Sequence, residues 1–200
     1  MAYQWFTADA HFGHANVARY CNRPWLRDED IDGDGWRSPL HRDGVAHRMN
    51  DGLARNWNSR VAEDDTVFHL GDFCCFGRER GEDGLKLKAS HWESLLNGRI
   101  VHILGNHDEN NTLRHGLDLA VIRLGGMRLL LKHMPIFEYC CDPSCDVVVC
   151  GHVHEKWRLL KKDGVLFVNV GVDVRGYAPV RSDELVQIIK DAEKELKEVK

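Results

Sequence analysis

The sequence predicts an α/β layered domain, and three observations carry that expectation. Short β-rich runs alternate with longer helical patterns. Several of those runs are apolar at consecutive positions, as strands covered on both faces are, which places them inside a sandwich. The 200 residues, with 43% hydrophobic and 29% charged content, suit one domain that needs no disulfide or structural metal to form its core.

The expected strands are Gln4 to Ala8, Thr66 to Leu70, Ile100 to Leu104, Met127 to Lys132, Asp146 to Cys150 and Val165 to Val170. Helical spacing of Leu, Met, Val and Trp marks Ala46 to Arg60 and Leu85 to Asn97. Ser182 to Lys200 opens with a capping residue and an acidic first turn. Asp163-Gly164, between two β runs, is a hairpin signal. Arg27 to Val45 is polar, Gly-containing and aperiodic, so 27–45 reads as an inserted surface loop within a domain spanning 1–200. Its run from Asp28 to Gly33 matches the opening half of a calcium loop, but Pro39 stands where the bidentate Glu belongs, so a solvated acidic loop is the better reading.

Charge narrows the partners. Twenty-seven Lys and Arg against 31 Asp and Glu give −4, without the basic face that binding nucleic acid by charge requires. No run approaches a membrane span, and the first residues lack the basic and apolar regions of a secretory signal. Seven Cys, an odd number with two adjacent pairs, read as reduced thiols of a cytoplasmic protein. Cys140, Cys141, Cys145 and Cys150 lack the paired spacing of a structural zinc site, which leaves buried or half-buried thiols.

Chemistry concentrates just after the expected strands, in Asp9-Ala10-His11, Gly71-Asp72, Gly105-Asn106-His107-Asp108, His133 and Gly151-His152-Val153-His154. A rigid sheet fixes where each strand ends, so loops leaving neighbouring strands can converge on one point. Carboxylate, imidazole and amide oxygen suit a hard-to-borderline divalent ion. Asp9, His11, Asp72, Asn106, His133, His152 and His154 are too many for one tetrahedral site and fit two open sites sharing a carboxylate.

In this order the five blocks resemble the signature of the calcineurin-like metallophosphoesterases. The likeness runs from Trp5 to about Leu185. Thr7 to His14, Cys21-Asn22-Arg23-Pro24, Asn56-Trp57-Asn58 and Val168 to Asp173 are similar to the small stand-alone bacterial, archaeal and phage members. The resemblance implies a four-layer α/β/β/α sandwich of two mixed sheets that hydrolyses phosphoesters with a metal-bridging hydroxide. It implies one ion on Asp9, His11, Asp72 and His154 and a second on Asp72, Asn106, His133 and His152, with Asp72 bridging; Mn²⁺ is the first choice and Fe, Zn, Ni or Mg the others. His107 would face substrate as a proton donor, oriented by Asp108. His14 and Arg23 are candidate substrate contacts. Lys132 stands before His133 where Ser is common, which alters the surroundings of that ligand.

Small phosphomonoesters, phosphodiesters or nucleotides are the expected substrates, with a metal-dependent nuclease as the alternative. A different class, a scaffold that keeps the fold without catalysis, would be marked by lost ligands, and none is lost here.

Overall fold

A computed structural model describes residues 2–75, 87–108, 113, 115–135 and 145–198. Its strands are β1 (Gln4–Thr7), β2 (Ile31–Asp32), β3 (Gly35–Trp36), β4 (Thr66–Leu70), β5 (Arg99–Ile103), β6 (Ala120–Leu124), β7 (Met127–Leu131), β8 (Val147–Cys150), β9 (Leu159–Lys162), β10 (Val165–Asn169) and β11 (Val180–Arg181). The helices are α1 (Ala15–Tyr20), α2 (Pro39–Asn58), α3 (Ala89–Glu93) and α4 (Ser182–Glu198).

Two mixed sheets form the sandwich, one ordered β11-β1-β4-β5 and the other β6-β7-β8-β10-β9. In the first, β1, β4 and β5 are parallel, with Thr7 beside His69 and Leu70 beside Ile103. In the second, β7, β8 and β10 are parallel, with Leu131 beside Val149 and Cys150 beside Asn169. Antiparallel partners close the edges: β11 on β1, β6 on β7 and β9 on β10. The central strands therefore end together within each sheet. A bridge between Ala8 and Gly171, with Val172 N–H donating to the Ala8 carbonyl at 3.0 Å, stitches the two sheets at that same end.

Alternation along the first sheet decides what packs where. Trp5 and Val67 face Val45, Met49, Leu53 and Trp57 of α2 together with Trp92 of α3. Phe6, Leu70 and Ile103 face the other way and meet Leu129, Leu131, Val147, Val149, Leu166 and Val168 of the second sheet. Leu185, Ile189 and Ala192, one stripe of α4, join this inter-sheet core. At about 1.5–3 kcal/mol per buried large apolar side chain, this layer is the main source of stability.

All six expected strands form. The hairpin at Asp163-Gly164 forms as well, with φ of 50° and 85°, the left-handed pair that a two-residue turn requires. Leu85 to Asn97 contracts to α3, and residues 85 and 86 lie outside the described set.

Residues 27–45 differ from the loop expected of them. Arg27 opens a single 3₁₀ turn, β2 and β3 pair as a small hairpin, and α2 starts at Pro39 behind Ser38, whose Oγ accepts from His41 N–H. Ser at the cap and Pro in the first turn are a helix start that polar composition concealed, because residues 39–44 carry little apolar patterning. Asp30 is buried and accepts from Arg27 N–H and the Arg48 guanidinium, so it points inward and is no part of a calcium loop. Trp36 donates to Asn16 and packs against the α1–α2 core, which pins the hairpin down.

Candidate metal centre

The parallel strands of both sheets finish at one end of the sandwich, and the residues just beyond them meet there. Asp9 and His11 follow β1, Asp72 follows β4, and Asn106 to Asp108 follow β5; His133 follows β7, and His152 and His154 follow β8. Asp9, His11, Asp72, His152 and His154 all have φ between 48° and 71°, a left-handed backbone that side-chain-bearing residues seldom adopt. Such strain persists where the surroundings impose it, and here it swings consecutive side chains toward one point.

Asp9, His11 and His154 bring one ligand atom each to within 4.8 Å of one another, and so do Asp72, His133 and His152. Asp72 Oδ2 lies 3.5 Å from His11 Nε2 and 3.4 Å from His133 Nε2, between the two groups. Asn106 Oδ1 is 3.1 Å from His133 Nε2. All seven sequence-derived ligand candidates are thus gathered in one cluster.

The hydrogen bonds orient the rings. His133 Nδ1 donates to the Leu70 carbonyl at 2.8 Å, which leaves Nε2 as the nitrogen turned to the cluster. His154 Nδ1 bonds Asp173 Oδ2 at 2.8 Å, with the same result. Burial drives the His11 imidazole well below its ordinary range, keeping it neutral, and its buried Nε2 has no hydrogen-bond partner. Burial also pushes Asp9 up to about 6, against the pull of His133 and His154. Burial would raise Asp72 likewise, but His133, His11 and the His107 N–H hold it below the usual carboxylate range. An orphaned imidazole nitrogen among buried carboxylates fits divalent ions, which would supply the charge these groups lack.

Glycines of the motif blocks serve close approach. A Cβ on Gly105 would lie 2.3 Å from Asp72 Oδ1, and one on Gly151 would lie 2.6 Å from Asp9 Oδ2. Of Gly71, Gly105 and Gly151 only Gly71 has positive φ, so a sharp backbone turn accounts for it while bare space is needed at the other two.

Two roles differ from expectation. Asp108, expected to orient His107, is buried, and its carboxylate accepts from Asp72 N–H (2.7 Å), Phe73 N–H (3.0 Å) and Gly105 N–H (2.8 Å). It braces the loop bearing Asp72. Arg23, expected to touch substrate, is 1% exposed and forked onto Asp173, so solvent-borne ligands do not reach it. Asp173 and Asn169 fall within the Val168 to Asp173 block, where the sequence assigns neither a task; Asn169 Nδ2 donates to the His154 carbonyl at 2.8 Å.

His107 is exposed, donates its backbone N–H to Asp72 Oδ1 at 3.0 Å and places its ring 5.5 Å from that of His11. His14, half-buried, lies at the same ring distance from His11 on another side. A cleft of about 230 Å³ opens beside Asn106 and His133, with Lys132, Asp118 and Met134 in its wall. Lys132 Nζ donates to the Asp118 carbonyl at 2.8 Å. Cys140 and Cys141 lie outside the described residues.

Two sheets face to face, with carboxylates supplied mainly by one and imidazoles mainly by the other where their parallel strands end, define an α/β sandwich protein with a candidate metal centre. Comparison of sequences carries the assignment further. The chain belongs to the calcineurin-like phosphoesterase superfamily, whose domain model matches residues 41–181. An uncharacterized protein of Methanocaldococcus jannaschii is 31% identical over 187 residues, covering 92% of this chain and 89% of that protein. The gene 66 protein of Mycobacterium phage D29 is 28% identical, and its match covers 98% of this chain and 100% of its own length. That match takes in the Asp9 block, which lies ahead of the matched domain. A crystal structure of a protein of unknown function from Aquifex aeolicus shares the fold, with a TM-score of 0.64 and 21% identity over 94% of this chain and 100% of that one. Family membership makes the chain a phosphoesterase in general class, a metal-dependent hydrolase. No helix among the described residues is long and apolar enough to cross a membrane.

Proposed function

We propose that the chain hydrolyses small phosphomonoesters, phosphodiesters or nucleotides with two divalent ions, Mn²⁺ foremost. One position would use Asp9, His11, Asp72 and His154, and the other Asp72, Asn106, His133 and His152. The observation that carries this is the placement of Asp72 Oδ2 within 3.5 Å of imidazole nitrogens on both sides, as a shared carboxylate requires. Two divalent ions held there would lower the pKa of water and neutralise charge on a phosphoryl group.

The chain's own residues account for the rest. His11 is neutral and desolvated, and the rings of His133 and His154, held at Nδ1 by the Leu70 carbonyl and by Asp173, turn their Nε2 atoms toward the cluster without rotation. His107 stands outside both ligand groups and in solvent contact, which suits it to donate a proton to the leaving oxygen. The cleft beside Asn106, with the Lys132 cation in its wall, suits the leaving portion of a small phosphorylated substrate.

The test is hydrolysis of p-nitrophenyl phosphate and bis-p-nitrophenyl phosphate after metal removal and after return of Mn²⁺, Ni²⁺, Zn²⁺ or Mg²⁺. The expected result is activity that vanishes on stripping and returns with metal. Persistent inactivity in every metal would support the non-catalytic scaffold instead. Cleavage of single-stranded DNA in preference to both esters would establish the nuclease reading.

A further inference from the structure

We infer that Arg23 and Asp173 are positioning residues that order the first metal position and leave the second untouched. This rests on the two-ion reading above. The two residues are 150 positions apart in sequence, and both side chains are almost wholly buried, at 0% and 1% exposure. Arg23 Nε donates to Asp173 Oδ1 at 2.7 Å and Nη2 donates to Asp173 Oδ2 at 2.9 Å, a fork only a guanidinium can make. Nη2 also donates to the Asp9 carbonyl at 2.8 Å, while Nη1 donates to the Ala10 carbonyl at 3.0 Å and touches Met49 Sδ. Asp173 Oδ2 accepts a hydrogen bond from His154 Nδ1 at 2.8 Å. One guanidinium thereby fixes the backbone beneath Asp9 and, through Asp173, the ring of His154.

Both contacts fall on residues of the first position, and both residues have left-handed backbone, at φ 59° for Asp9 and 48° for His154. At the second position His133 is held by the neutral Leu70 carbonyl and the His152 backbone N–H by the Asp9 carboxylate, while Asp108 holds the shared Asp72; neither Arg23 nor Asp173 bonds a ligand that belongs to the second position alone. A buried ion pair is weak evidence for stability by itself, since desolvation offsets most of its attraction. Its placement against two ligands of one position is what gives it a role. A carboxylate on the far nitrogen of a ligating imidazole sets the tautomer and strengthens the ring as a donor, and loss of such a partner typically costs about 10- to 100-fold in metal affinity.

The test is Mn²⁺ titration by calorimetry of metal-stripped wild type, Asp173→Asn and Arg23→Lys, with electron paramagnetic resonance of each loaded form. Wild type should bind two ions and show a spin-coupled pair. Each variant should keep one site at wild-type affinity, weaken the other by about 10- to 100-fold, and show the spectrum of an isolated ion when one equivalent is bound. His154→Ala should reproduce that pattern, whereas Asn106→Ala should weaken the site that the variants retain. Equal weakening of both sites, or no weakening in folded variants, would overturn the inference. Fewer than two ions in wild type would instead overturn the two-ion reading. Should both variants fail to fold, nitrogen-resolved NMR of cadmium-loaded wild type decides. Metal coupling to His154 Nε2 is expected, and coupling to Nδ1 would refute the bond to Asp173 on which the inference stands.

Discussion

Replacing Asp108 with Asn tests whether this residue braces the bridging loop or serves His107. The carboxylate is 1% exposed and accepts three backbone N–H groups, two on Oδ2 from Asp72 and Gly105 and one on Oδ1 from Phe73. An Asn side chain can keep its oxygen at the Oδ2 position. Its NH₂ then faces the Phe73 N–H across 3.0 Å, donor against donor. Leaving that buried N–H without an acceptor costs about 1–3 kcal/mol, and turning two charge-assisted bonds into neutral ones removes about another 1 kcal/mol. A total of about 3 kcal/mol lowers Tm by roughly 6–12 °C in a chain of this size. Thermal unfolding should be followed by circular dichroism on metal-stripped protein, so that ion binding does not mask the loss. Mn²⁺ affinity at both positions should fall in parallel, since Asp72 is shared. A Tm within about 1 °C of wild type with full metal content would refute the brace. A kcat loss confined to poor leaving groups, alongside that unchanged Tm, would return Asp108 to the orienting role.

Asp72→Ala should strip both ions, whereas Asn106→Ala should weaken one only; elemental analysis under saturating Mn²⁺ separates them, and equal loss of a single ion in both would contradict the bridge. His107→Ala should keep both ions and lose about 10²- to 10⁴-fold in kcat with an alkoxide leaving group but less with p-nitrophenolate, and equal loss with both would exclude proton donation. Gly105→Ala should fold yet bind both ions poorly, because the new Cβ meets Asp72 Oδ1 at 2.3 Å; undiminished affinity would show that the loop yields freely. At Asp65, burial pushes the carboxyl up, but Tyr3 N–H, Ala62 N–H and the Trp5 indole together hold it below its unfolded range. The stability it provides is complete above the unfolded pKa and declines as pH falls through the lower folded one, so Asp65→Asn should lower Tm at pH 7 and narrow the gap toward acid. A gap that is constant with pH would refute this.

Much of the arrangement was legible because strand ends and polar clusters coincide. Apolar runs such as Val147 to Cys150 read as covered strands, and the Asp, Asn and His blocks just after them could only lie at the sheet's C-terminal end. The edge strands were less legible. β9, Leu159–Lys162, is short and mostly exposed and showed only as the run ahead of the Asp163-Gly164 turn, and β11 has two residues, too few to offer a pattern. The first turns of α2 were lost for the opposite reason, since a capping Ser and a Pro were outweighed by polar composition. The fork between Arg23 and Asp173 was beyond reach. Each lies in a block that resembles the family, but nothing in either block points to the other, and only the stitching of the two sheets through Ala8 and Gly171 brings them together.

The left-handed backbone at Asp9, His11, Asp72, His152 and His154 bears on what the molecule is for. Each such residue costs about 1 kcal/mol relative to glycine, so the five together cost on the order of 5 kcal/mol, comparable with the whole net stability of a modest domain. Glycine at these positions would relieve that strain. This chain holds its most awkward residues where their side chains converge, and the sturdier protein that glycine would yield is one with nothing left to grip an ion.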